Sequence, residues 1–264
     1  MSPGDSALVL AAGVAAGIIN SVVGSATLLT FPLLLSLGVP PVVANVSNNI
    51  GLVPGSFFGA VGYRRELVGQ RARLLRWGAV CIAGSIVGSV LLLALPPSAF
   101  EAAVPGLVLL GVVLVMVGPS VSRWVARRAA AGSAGAEATA EVEAGVLPEP
   151  GWLLPALAVT GVYGGYFGAA QGVMLIAVLG IGFSTDLQRV NGMKNALAAG
   201  INGVAGVLFA IVADVDWWIA LLMAAGSAVG GLLGSAVGRR LHPSVLRGLV
   251  VAVGLVAFVS ILVT

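Results

Sequence analysis

Eight apolar segments follow one another with only short connections, at residues 7–37, 41–63, 74–95, 99–118, 152–182, 187–213, 217–238 and 243–263. Most approach or exceed the ~20 residues that a helix needs to cross the hydrocarbon core of a bilayer. Charge is too scarce for any other home. Only 9% of the residues are charged and 59% are hydrophobic, with a mean hydropathy of +1.08, whereas a soluble domain carries about 25% charged residues. The fold class expected is therefore an all-α integral membrane protein. No extramembrane stretch is long enough to bury a core of its own.

The charge that exists sets orientation. A net charge of +3 and a pI near 9.6 would suit nucleic acid on a soluble protein. Here the cations sit in short loops between apolar segments, as charges that fix membrane topology do, so no nucleic-acid partner is expected. Cys81 and His242 are each the sole residue of their type. Neither a disulfide framework nor a metal site can be built from them, and no cofactor is expected. Met1 to Leu10 lacks a basic n-region, and the apolar stretch that follows is too long for a signal-peptide core. It reads as mature structure.

Composition shifts once. Residues 127–151 are small, polar and acidic, as in a flexible linker, and divide the chain into a first membrane repeat (1–126) and a second (152–264). The halves resemble each other. Gly13, Gly17 and Gly24 share their spacing with Gly161, Gly165 and Gly172. Asn45-Val-Ser-Asn48-Asn49 parallels Asn191-Gly-Met-Lys194-Asn195, Gly84 and Gly88 parallel Gly226 and Gly230, and Pro97-Ser98 parallels Pro243-Ser244. Four matches in one order indicate an internal duplication.

Orientation follows from the loops. If all eight segments crossed, Arg64, Arg65, Arg71, Arg73 and Arg76 would face the opposite side from Arg239, Arg240 and Arg247, against the positive-inside rule. If segments 7–37 and 152–182 are re-entrant hairpins, each of two half-helices of about 12–15 residues, all thirteen cations fall on or toward the inner face. Both termini and the Asp214/Asp216 loop then lie outside, and the linker is cytoplasmic. One hairpin plus three crossings makes the two repeats inverted, a recurring transporter design.

The run Gly13-Val-Ala-Ala-Gly17-Ile-Ile-Asn20-Ser21-Val-Val-Gly24, then Phe31-Pro32, Gly38-Val-Pro40 and Ala44-Asn45, resembles the start of a TauE/SafE-type sulfite exporter. Gly182-Phe-Ser-Thr-Asp186 and Asn191-Gly-Met-Lys194-Asn195 are similar to that family's second repeat. The resemblance covers nearly the whole chain outside the linker. It implies a bacterial inner-membrane permease that exports sulfite or a small organosulfur anion. Two departures bear on the substrate: Ser25-Ala-Thr follows Gly24 where many relatives keep a glycine-rich run, and Gln171 precedes Gly172.

A small anion in a bilayer needs hydrogen-bond donors to replace its water. A broken helix presents them as free backbone N–H groups and a positive dipole end. Gly24 and Gly172 are expected to mark the breaks, with Asn20, Ser21, Ser25, Thr27 and Gln171 around them. The helices that follow carry a second constellation. Asn45, Asn48 and Asn49 share one helical face, as do Asn191, Lys194 and Asn195, because residues three and four apart are neighbours. Lys194 would lie roughly 10 Å into the membrane at 1.5 Å per residue, where a lysine either serves function or snorkels to the interface as an anchor. Asn202 is a weaker candidate on the same helix. Gly84, Gly88, Gly226 and Gly230 read as helix-packing residues. Trp77, Trp124, Trp152, Trp217 and Trp218 read as interfacial anchors, Asp186 as a helix cap, and Tyr163 and Tyr166 as core.

The function expected is secondary export of a small sulfur-containing anion by alternating access. A permease or channel for another solute and an accessory assembly protein are the alternatives. An enzyme is disfavoured, because no paired carboxylates or Cys/His pair lie at membrane depth. The partners expected are the substrate and the lipid bilayer; a homo-oligomer is compatible with the sequence.

Overall fold

A computed structural model of the chain describes residues 1–132, 149–183, 187–237 and 243–263. Those residues form ten helices: α1 (Pro3–Val22), α2 (Thr27–Ser36), α3 (Pro41–Gly62), α4 (Arg71–Ala94), α5 (Pro97–Gly132), α6 (Leu153–Tyr166), α7 (Gln171–Gly182), α8 (Leu187–Val212), α9 (Trp217–Val237) and α10 (Pro243–Val263). The protein is an all-α membrane protein. Five spans are long and apolar enough to cross a bilayer: Pro3–Val22, Arg71–Ala94, Pro97–Trp124, Leu187–Val212 and Trp217–Ala236. Helix α3 is long enough too, but Asn45, Ser47, Asn48, Asn49 and Ser56 lower its hydropathy, and all five side chains are buried. Polarity turned inward marks it as a wall of the interior rather than a lipid-facing span.

Packing follows the glycines. Helix α1 lies on α9, and α6 lies on α4. Gly13 and Gly17 meet the backbone of α9 around Gly226 and Gly230, and Gly161 and Gly165 meet α4 around Cys81 and Ser85. Within hydrocarbon, small residues let helix backbones touch and gain dispersion contacts that lipid would otherwise supply. The larger pattern is reciprocal. Helix α3 packs on α9 as α8 packs on α4, α2 on α10 as α7 on α5, and α3 and α8 meet each other. Exchanging α1–α5 with α6–α10 converts each of these pairings into another.

Both expected hairpin segments are broken, but not symmetrically. A capping box at Ser2 and Asp5 starts α1 before the apolar run begins, so α1 has 20 residues and α2 has 10. In the second hairpin α6 has 14 and α7 has 12. The first break turns at Gly24 (φ 84°); the second turns at Gly168 (φ 73°) and Ala170 (φ 62°). Gly172, expected at the second break, instead lies in the first turn of α7. The chain runs seven residues from Gly17 to its break but only three from Gly165 to its own, so α6 stops one turn earlier.

Other expectations also shift. Trp77 is no interfacial anchor: it is fully buried, edge-on to Phe183 at 5.6 Å. Trp152, Trp217 and Trp218 are exposed near helix ends, and Trp124 is exposed at the end of the apolar part of α5. Helix α5 continues to Gly132, so the first residues of the 127–151 stretch are helical. Asp216 caps α9, its Oδ1 accepting from the Ile219 N–H at 3.0 Å. Asp186, Arg239, Arg240 and His242 lie outside the described residues.

Candidate functional site

The first break meets the first turn of α7, just after the second break. The Gly172 N–H donates to the Gly24 carbonyl at 3.0 Å. A Cβ on either glycine would stand 2.5 Å from the other's Cα, so only glycine permits this crossing. Phe31, Phe100 and Phe167 pack edge to face beside it, with Phe31 and Phe167 centroids 5.1 Å apart, and so fix α2 and the second break against α5.

A small cavity opens next to the crossing. Asn20 of α1, Thr27 of α2, Asn48, Asn49 and Leu52 of α3, Phe167 and Gly168 of the second break, Gln171 of α7 and Asn202 of α8 line it. Both halves of the chain contribute. Its volume is about 10 Å³, room for about one water-sized sphere. Two hydrogen-bonded chains hold the walls. Gln171 Nε2 donates to Asn202 Oδ1 at 2.8 Å, and Asn202 Nδ2 (3.5 Å) and Asn20 Nδ2 (2.9 Å) converge on Ser56 Oγ. Thr30 Oγ1 donates to Asn48 Oδ1 at 2.6 Å, and Asn48 Nδ2 to Thr27 Oγ1 at 3.4 Å.

Unused donors and acceptors lie at the two breaks, and of the residues that carry them Thr27, Asn49 and Gln171 line the cavity. The backbone N–H groups of Ser25, Ala26 and Thr27 at the first break, and of Ala169 and Ala170 at the second, make no hydrogen bond within the protein. All five residues are buried. Ser25 Oγ, Asn49 Oδ1 and Gln171 Oε1 are likewise buried without a partner. Buried orphan N–H groups are rare in folded proteins, and consecutive ones beside left-handed residues form the concave nests that hold anions. The first turn of α7 contributes none: the N–H groups of Gln171, Gly172, Val173 and Met174 are all engaged.

Lys194 sits behind this cavity, not in it. It is 1% exposed and does not snorkel. Its Nζ donates to the carbonyls of Asn20 (2.9 Å) and Ser21 (2.8 Å). In an unbroken helix those carbonyls would accept from residues 24 and 25, so the lysine satisfies acceptors that the break orphans and places its charge at the negative end of α1. Asn195 Nδ2 adds a 3.4 Å contact to Ser21 O. Asn45 serves the other break in the same way, donating to Tyr166 O at 3.0 Å. Each half thus caps the broken helix of the other. The Tyr163 hydroxyl donates to Ala169 O and holds the second break from within.

Of the candidates read from sequence, Asn20, Asn48, Asn49 and Gln171 line the cavity. Gly24 and Gly172 form the crossing, and Ser25 lies buried at the first break. Asn45, Lys194 and Asn195 brace the helix ends. Ser21 Oγ donates to Gly231 O at 3.3 Å and ties α1 to α9. Asn191 is only partly buried, with Oδ1 unpartnered, and lies outside the lining. Sequence reasoning passed over Ser56 and Thr30. Ser56 follows Asn49 by seven residues and Thr30 follows Thr27 by three, spacings that keep each pair on one helical face.

A model of the sulfite exporter TauE/SafE family matches residues 9–261. The chain belongs to that family. It is similar along nearly its whole length to two curated proteins. One is the probable membrane transporter protein ORF9 of a Sinorhizobium species, 23% identical over 260 residues, covering 97% of this chain and 92% of that one. Another is a probable membrane transporter protein of Haemophilus influenzae, 23% identical over 250 residues, covering 93% and 89% respectively. No solved structure matches the chain significantly. This TauE/SafE protein is thus a multi-pass membrane transporter, with a cavity lined by both of its halves.

Proposed function

We propose that the protein exports sulfite or a related small organosulfur anion across the bacterial inner membrane by alternating access. The reading rests on the polar cavity lined from both halves of the chain, with five buried backbone N–H groups without partners at the neighbouring helix breaks, of which that of Thr27 belongs to a lining residue. An oxyanion offers several acceptor oxygens, and such preorganised donors replace its water without reorganisation. The substrate-binding residues in this reading are Asn20, Thr27, Asn48, Asn49, Gln171 and Asn202, with the N–H groups of Ser25 and Ala26.

The cavity is lined by residues of both halves, and alternating access would load it by parting them. In the inverted arrangement, with both termini outside, the two hairpins approach the site from opposite faces. Rocking about their crossing then opens one face at a time. Lys194 and Asn45 keep each broken helix attached to the opposite half during that motion.

Equilibrium binding of sulfite to the purified protein tests the site. Saturable binding is expected, weakened about tenfold in Asn202→Ala, equivalent to ~1.4 kcal/mol. Equal affinity in wild type and variant would remove the cavity from the binding site. The uncharged lining favours one other reading, a permease for a small neutral polar solute; absence of binding by any anion would favour it.

A further inference from the structure

Lys194 is the one charged side chain among the buried residues described. An ion pair of Arg76 with Glu149 at 3.1 Å lies elsewhere, with the Arg76 side chain exposed. The hydrogen-bond acceptors of Lys194 Nζ are two carbonyl oxygens, those of Asn20 and Ser21. A helix C-terminus supplies roughly half a negative charge, which leaves a buried positive charge incompletely balanced. Buried charges are costly unless compensated. Asn20 joins the two places: its carbonyl accepts from Lys194, and its side chain lines the cavity.

Building on the anion site proposed above, we infer that the site selects monoanions over dianions, with Lys194, in its ammonium form, as the counter-charge behind its wall. One negative charge in the cavity neutralises the buried core. A dianion leaves a net negative charge there and loses far more hydration on entry, because ion desolvation rises with the square of the charge in a Born description. The neutral amides and N–H groups bind either ion but balance neither. The substrate class that follows is the singly charged sulfur oxyanion, such as hydrogensulfite or an alkylsulfonate. Sulfate and thiosulfate are rejected.

Methanesulfonate, sulfamate and sulfate form a nearly isosteric series that separates charge from chemistry. The first two are monoanions with an apolar and a polar fourth substituent; sulfate is a dianion. Affinities of the three for the purified full-length protein, with sulfite as reference, provide the test. Methanesulfonate and sulfamate should both bind at least about tenfold more tightly than sulfate, and Lys194→Gln should weaken both by at least about tenfold. Sulfate binding as tightly as the monoanions would overturn the inference while leaving the anion site standing. So would unchanged monoanion affinity in Lys194→Gln. If that variant does not fold, the wild-type ratio still decides. If none of the three binds and sulfite does not either, the anion reading itself falls, and this inference with it.

Discussion

Gly24 and Gly172 meet backbone to backbone, and the first of them also holds a φ of 84°. Alanine at Gly24 would add a strained left-handed residue and a clash that neither backbone can yield to. A loss of about 3 kcal/mol is expected, seen as a lower unfolding temperature in detergent and loss of ligand binding. Gly38 is the control. Its φ is 79°, but nothing lies within 4 Å of a Cβ built there, so Gly38→Ala should cost only about 1 kcal/mol of backbone strain. Equal losses at the two sites would mean that the crossing is not tightly packed. Single residues were also where sequence and structure parted. Asn48 and Lys194 occupy matching places in the two repeats, yet Asn48 lines the cavity and Lys194 turns toward the end of α1. Pattern alone placed both on a buried polar face. Which neighbour each side chain meets depends on where the facing helix ends, and no spacing rule encodes that.

Helices α3 and α8 were the most legible elements. Amides three and four apart in apolar runs have few reasons to be there except an inward-facing polar site, and apart from the half-buried Asn191 those amides are buried. The glycine pairs on α1, α4, α6 and α9 were legible for a similar reason, since close backbone contact needs residues without side chains. Introducing Gly88→Leu should wedge α4 from α6, where a Cβ already collides with the Val162 carbonyl, and markedly lower the yield of folded protein. Folded, fully stable Gly88→Leu protein would contradict that packing. The exact turn of the second hairpin was not legible. Gly172 aligned with Gly24 because each follows an earlier glycine by seven residues, but the structure turns at Gly168, one helical turn sooner. Hairpin re-entry itself can be tested with membrane-impermeant maleimides. Ser2→Cys and Ser36→Cys, both at exposed positions flanking α1 and α2, should label from the same face, and Arg65→Cys from the opposite one; Cys81 is buried. Labelling of Ser2→Cys and Ser36→Cys from opposite faces would mean that the first hairpin crosses the membrane.

At the scale of the whole molecule, the two halves are interleaved rather than adjacent. Each packs its first helix on the other's glycine-bearing span, and each caps the other's broken helix, through Lys194 and Asn195 on one side and Asn45 on the other. The cavity exists only because both halves are present: Asn20, Thr27, Asn48 and Asn49 come from one, Gln171 and Asn202 from the other. Under the alternating access proposed above, the open face would change without dismantling the site, because the hairpins cross at one point. The most direct test is sulfite flux into proteoliposomes containing the purified protein. The account predicts saturable flux that is competed by methanesulfonate, reduced about tenfold or more in Asn202→Ala and abolished in Gly24→Ala. Absence of saturable flux for sulfite and every other small anion, in protein shown to be folded, would contradict it.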